Sequence, residues 1–185
     1  MNYKPLNINL LKNSLSNKIV GRNILYYDTL TSTMNKAKFL AENNESEGLV
    51  IIAEDQTKGR GRFSRNWISA PGENLQISVL MRPSTDHLPY LSMASSLAIS
   101  DTIESLVGKA GEIKWPNDVE LGGKKLAGIL IETDMSATKV NFAIIGVGLN
   151  VNLDPSKHPS ISNTSTSLKN IANKQISRSV TLTLF

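Results

Sequence analysis

The chain has 185 residues, 40% hydrophobic and 19% charged, which is enough for one substantial core and short for two. It has no cysteine, which excludes disulfides, thiolate metal ligands and thioester intermediates, and no apolar run near the roughly 20 residues that cross a bilayer. Its net charge of +4 suits a nucleotide or an acidic protein as well as nucleic acid, but its densest cations lie in one Gly-rich loop, which argues against a nucleic-acid module.

Residues 1–15 lack the apolar core and small-residue cleavage site of a signal peptide, so the expected location is the cytoplasm. Within residues 3–16, Leu6, Leu10, Leu11 and Leu15 recur at helical spacing, and residues 24–27 form a short β-like run. Thr31-Ser32-Thr33 precedes Met34, Ala37, Leu40 and Ala41, which predicts a second helix with a hydroxyl at its N-cap. The free N–H groups of that helix start, and the same hydroxyls, could equally face a polar ligand.

Residues 48–54 read as a buried strand, 75–81 as an alternating one and 88–107 as the longest helix. β-rich stretches follow at 112–115, 125–133 and 139–151, with turn signals at Gly122-Gly123 and near Ser136. Hairpins imply antiparallel pairing, so the predicted fold class is α+β, a mixed and largely antiparallel sheet packed against helices. After residue 152 the composition turns polar. Residues 167–172 then read as a short helix, and the apolar run 180–185 either caps the core or belongs to an element that continues; the reading taken is that the chain is truncated there.

Three loops could carry chemistry. In Gln56-Thr57-Lys58-Gly59-Arg60-Gly61-Arg62-Phe63-Ser64-Arg65-Asn66-Trp67, glycines let the backbone approach an anion, and Arg60, Arg62 and Arg65 can converge on carboxylate or phosphate oxygens. Trp67 could stack on a flat base, and the alternative is a solvated basic loop. No Gly-Lys-Ser/Thr closes the segment and Ser64 stands where a third dinucleotide-binding glycine would be, so it is neither a Walker loop nor a Rossmann fingerprint.

In the second loop, Lys114-Trp115-Pro116-Asn117-Asp118, the carboxylate could hold a hard cation such as magnesium, while Trp115 reads as core. Lys124 and Lys125 follow the Gly-Gly turn on opposite faces of a strand, so only one can enter a given pocket. The third is Gly146-Val147-Gly148-Leu149-Asn150-Val151-Asn152, where two glycines in an apolar run signal a bulge or a ligand pressed against the backbone. His87 and His158 sit beside prolines without metal-ligand spacing and read as surface residues.

Gly59-Arg60-Gly61-Arg62 with Arg65 and Trp67, then Lys114-Trp-Pro-Asn-Asp118, Lys125-Leu-Ala-Gly128 and Gly146-x-Gly-x-Asn150, resemble the ordered signature of biotin protein ligases. The resemblance runs from about residue 24 to residue 168 and includes Thr31-Ser-Thr33 and Ser165-Thr-Ser-Leu168. It implies a class II synthetase-like catalytic domain of the biotin/lipoate ligase family, expected over residues 1–185 as one domain truncated at its C-terminal end; members usually continue into a small β-barrel, and here neither that barrel nor an N-terminal DNA-binding domain is expected. It implies an ATP-dependent ligase that makes biotinyl-5'-AMP and passes biotin to a lysine of a biotin carboxyl carrier protein or domain of a carboxylase. ATP and Mg2+ are the implied cofactors and biotin the substrate; a homodimer is allowed, and neither nucleic acid nor a membrane is an expected partner. The rivals are a truncated, non-catalytic biotin- or carrier-binding relative and a lipoate-protein ligase.

By the same resemblance, Ser32, Thr33, Met34, Gln56, Arg60, Gly61, Arg62, Lys125 and Gly128 would hold biotin, with Met34 standing where the family often has Asn. Arg62, Arg65, Trp67, Lys114, Asn117, Lys125 and Asn150 would hold ATP, and Asp118 the magnesium. Lys125, Arg60 and Arg62 are the expected catalytic cations.

Overall fold

A computed structural model describes residues 5–15 and 19–185. In chain order the elements are α1 (Ile8–Leu15), β1 (Asn23–Leu30), α2 (Thr33–Glu42), β2 (Leu49–Gln56), β3 (Asn74–Met81), α3 (Tyr90–Val107), β4 (Glu112–Lys114), β5 (Asp118–Leu121), β6 (Lys124–Ser136), β7 (Lys139–Asn150), α4 (Leu168–Ala172) and α5 (Arg178–Leu184). Residues 3, 4 and 16 of the predicted first helix lie outside the described residues. No described helix is long and apolar enough to cross a membrane.

The strands form one sheet in the order β1-β2-β3-β7-β6-β5-β4. β1 and β2 are parallel, joined by the α2 crossover, and every other neighbouring pair is antiparallel. The sheet is therefore mixed and largely antiparallel, as the hairpin signals predicted. At the tip between β5 and β6, Gly122 and Gly123 have φ of 59° and 71°, the left-handed pair that a tight two-residue hairpin requires and that side chains resist.

Leu49 to Ala53 in β2 are all buried because that strand is covered on both faces. On one face Val50 and Ile52 join Ile24, Leu75, Ile77, Val79, Ile145, Val147 and Leu149, packed under Leu11 of α1, Ile99 and Ile103 of α3, Leu168 of α4 and Leu182 of α5. On the other face Leu49 and Ile51 join Leu80, Phe142 and Ile144 beneath Met34, Ala37 and Ala41 of α2. Period-2 alternation splits these strands cleanly between two cores. The apolar end is helical as far as Leu184: Leu182 is buried, and Phe185 packs against the larger core.

One contact ties the last helix to the sheet from inside. Arg178 donates from Nη1 to Glu54 Oε2 at 2.7 Å and from Nη2 to Glu54 Oε1 at 3.0 Å, with only 5% and 0% of the two side chains exposed. Tyr26 Oη and the Gly72 N–H also donate to the Glu54 carboxylate, so the buried charge is well solvated by protein.

Candidate active site

α2 covers only part of its sheet face, and beyond its N-terminus lies a cavity of about 220 Å³. Its floor is made of glycines. In the register of β6 and β7, Gly128 lies opposite Gly148, and Leu130 opposite Gly146. A Cβ on Gly146 would overlap the Met34 thioether, and one on Gly148 would overlap the Trp67 indole. Pairing with β3 and β6 is unbroken through both glycines, so there is no bulge at this point. The two glycines are needed because two side chains lie flat on the strand.

At the α2 end, Ser32 is the N-cap residue, with extended backbone and no side-chain capping bond, so the predicted hydroxyl cap is absent. The Thr33 hydroxyl bonds to side chains of the cavity wall instead. The Thr33 N–H and Oγ1–H both donate to Gln56 Oε1, at 2.8 and 3.1 Å, and Ser78 Oγ donates to Thr33 Oγ1 at 2.8 Å. Gln56 Nε2 in turn donates to Gln76 Oε1 at 2.7 Å, while Gln76 Nε2 donates to the Glu54 carbonyl and to Ser69 Oγ. The Gln56 carboxamide is thereby held in one orientation, with Ser32, Thr33 and Met34 beside it on the wall. Sequence reading missed Gln76, Ser78 and Ser69. The signal for the first two was available, because polar residues at alternate positions of an apolar strand share the face that carries Gln56's partner.

Residues 59–67 fold as a small hairpin, with Arg60 bridged to Asn66 and the Trp67 N–H donating to the Gly59 carbonyl at 3.0 Å. The three arginines line the cavity but do not meet at a point. Arg60 Nη2 reaches Glu132 on β6, with both carboxylate oxygens at 2.9 Å. Arg62 donates to Asn117 Oδ1 at 3.0 Å, and Arg65 stands exposed at the mouth. Arg60 Nε and Trp67 Nε1 are buried donors with no acceptor among the described residues. Both belong to residues on the cavity wall, so the wall holds two N–H groups that a bound acceptor would satisfy.

Lys125 reaches the cavity through a bulge. Val119 pairs with Ala127 and Glu120 with Lys125, so Leu126 is an extra residue on β6. Leu126 and Ala127 both enter the larger core, and this break in alternation turns Lys125 to the same face as Gly128. Lys124 stays exposed. The Lys125 ammonium lies 2.7 Å from Asp118 Oδ1 and 5.7 Å from the centroid of the Trp67 ring, and Asn117 Nδ2 also donates to Asp118 Oδ1. The Lys125 backbone pairs with the 164–166 segment, which brings Ser165 to the wall. Asn150 is buried on the same wall and donates to the Thr166 carbonyl at 3.1 Å.

Lys114 does not join this group. It points to Glu120 at 2.7 Å, largely in solvent, and the Glu120 carboxylate that accepts its hydrogen bond raises its pKa above the usual lysine value. Trp115, read as core from the sequence, is 65% exposed, because β4 is an edge strand and the following turn projects beyond it. His87 is exposed, and His158 is partly covered in a loop away from the cavity. Asp118 is the carboxylate that faces the cavity, and no cluster of three His, Asp or Glu side chains suited to a metal exists among the described residues.

The profile of the Biotin/lipoate A/B protein ligase family matches residues 25–150, a stretch that contains β1 to β7 almost entire. The chain belongs to this family. As a family member it is 38% identical over 167 residues to the bifunctional ligase/repressor BirA of Bacillus subtilis, covering 89% of this chain and 51% of that protein. It is also 38% identical over 122 residues to the biotin--[acetyl-CoA-carboxylase] ligase of Mycobacterium tuberculosis, covering 62% of this chain and 44% of that one. The chain thus spans about half the length of the curated relatives it matches. Among solved structures it superposes with a TM-score of 0.74 and 34% identity on the biotin protein ligase of Aquifex aeolicus in complex with biotin and ATP, over 88% of this chain and 67% of that one. The Leishmania major biotin protein ligase in complex with biotinyl-5-AMP follows with a TM-score of 0.70 and 26% identity, over 88% and 71%.

Proposed function

We propose that this family member is a biotin protein ligase, acting in the cytoplasm on a biotin carboxyl carrier protein or domain of a carboxylase. The biotin carboxylate attacks the α-phosphorus of ATP and pyrophosphate leaves. The ε-amine of a carrier lysine then attacks the carbonyl of biotinyl-5'-AMP, forming the amide and releasing AMP and a proton. The observation that carries this reading is the Lys125 ammonium inside a cavity whose wall also presents two buried, unaccepted N–H donors, from Arg60 and Trp67. Such a wall is built for an anionic, acceptor-rich ligand. The relatives solved with biotin and ATP, or with biotinyl-5-AMP, support the choice of ligand.

In this reading Ser32, Thr33, Gln56 and Gly128 hold the polar head of biotin, and Met34 covers its apolar part. Lys125 leaves Asp118 to lie between the biotin carboxylate and the α-phosphate, stabilising charge that grows in the transition state. Arg60 and Gly61 close over the adenylate, Arg62 and Arg65 bind phosphates, Trp67 packs against adenine, and Asn117 and Asn150 position the nucleotide. Closure keeps water from a hydrolysable mixed anhydride. Asp118 is the carboxylate that would hold a magnesium ion brought with ATP, which would offset negative charge on the leaving pyrophosphate. A homodimer is compatible with the family and belongs to the same proposal.

The test is biotin-dependent pyrophosphate release in a single turnover with ATP and magnesium, run with lipoate and with Lys125→Ala in parallel. A burst with biotin, lowered on the order of a hundredfold or more in the variant, is the expected result. Biotin binding without a burst would mark a non-catalytic relative, and a burst with lipoate alone would reassign the substrate.

A further inference from the structure

Glu132 lies on β6 beyond Gly128 and Leu130, on the face that floors the cavity, and nothing in the ligase reading gives it a part. Its carboxylate faces Arg60. A single nitrogen, Nη2, lies 2.9 Å from both Oε1 and Oε2, while Nε of the same guanidinium is buried with no acceptor among the described residues. The pair thus engages Nη2 and leaves the Nε–H of a cavity-lining arginine without an acceptor. Both side chains are 36% exposed, a setting in which an ion pair adds little to folding stability.

We infer that Glu132 is a positioning residue: it fixes the Arg60 guanidinium so that the unpartnered Nε–H is held to donate to the bound adenylate, and it ties the 59–67 hairpin to β6. The first half of this inference rests on the ligase reading, because it needs an acceptor in the cavity. The second half does not. The hairpin's backbone bonds are internal or lie at its base, where the Thr57 and Lys58 N–H groups donate to Leu30 and Thr31. Side-chain ties must therefore hold its far part over the floor, and Arg60 to Glu132 is one, alongside Arg62 to Asn117.

The experiment compares the whole chain with Glu132→Gln, Arg60→Gln and the double variant. One readout is the lifetime of adenylate formed from biotin and ATP in a single turnover, and the other is amide hydrogen exchange at Gly61 and Trp67 in the ligand-free protein. Glu132→Gln is expected to shorten the lifetime on the order of tenfold or more and to speed exchange at both amides, with the melting temperature nearly unchanged. The double variant is expected to match Arg60→Gln alone, because Glu132 acts through that side chain. A wild-type lifetime in Glu132→Gln, or losses that simply add in the double variant, would overturn the inference. If the unsubstituted chain forms no adenylate, the ligase reading fails. Exchange then decides the tie, with faster exchange in Glu132→Gln upholding it and unchanged exchange ending it.

Discussion

Replacing Arg178 with Met tests whether the last helix is held by a buried charge or merely by apolar packing. The substitution keeps most of the side-chain volume and removes donated bonds that include 2.7 and 3.0 Å to Glu54 and 3.2 Å to the Asn74 carbonyl. Glu54 would remain with Tyr26 Oη and the Gly72 N–H but with no counter-charge among the described residues, at 0% exposure. Removing one partner of such a pair costs about 3–5 kcal/mol, a large share of the roughly 5–15 kcal/mol by which a domain is folded. For a chain of this size that corresponds to a fall in Tm of roughly 6–20 °C. Equilibrium denaturation in urea, read by circular dichroism, gives the loss as a lower midpoint at unchanged slope. Glu54→Gln together with Arg178→Met should cost less than Arg178→Met alone, because the stranded charge is gone while Tyr26 and Gly72 keep an acceptor. A cost below about 1 kcal/mol for Arg178→Met, or a double variant worse than the single, would refute the argument.

Alanine at the two floor glycines should separate a flexible neighbour from a rigid one. Gly146→Ala meets the thioether of Met34, which can rotate away, so it should cost about 1 kcal/mol; Gly148→Ala meets the Trp67 indole and should cost nearer 3 kcal/mol, both measured by denaturation midpoints. The Asp154 carboxylate accepts from the Ser156 hydroxyl and N–H, which hold its pKa below the ordinary 3.8. The unfolded chain therefore binds the proton more tightly, and this contribution to stability is present above 3.8 and lost as pH falls through the lowered folded value. Melting curves of the wild type and Asp154→Asn should differ at pH 7 and draw together in that acid range; a constant gap would contradict the assignment.

Much of the cavity's lining could be read from residue order alone. The Gly-Arg-Gly-Arg loop, the Lys-Trp-Pro-Asn-Asp block and the paired glycines of β7 carry their chemistry in side-chain type and spacing. All three come to one cavity, with Lys114 and Trp115 among the residues that stay outside. The elements were legible for a similar reason, since burial on one face or two imposes a period of 3.6 or 2 and the apolar residues follow it. That signal is local, and it says nothing of which strand lies beside which.

Pairing decided the rest. The parallel match of β1 with β2 depends on the α2 crossover, and Glu54 meets Arg178 across 124 positions of sequence. Lys125 faces the cavity rather than the core because Leu126 is an extra residue against β5, a shift that no composition rule detects. Glu132 joins Arg60, and Gln76 joins Gln56, only once β6 and β3 are laid in register. Side-chain type and short-range period are written in residue order, so the chemical groups of the cavity and the positions of helices and strands follow from it directly. Which groups act on one another is visible only in the folded chain, because register and bulges set the direction of every side chain on a strand, and they are fixed by contacts distant in sequence.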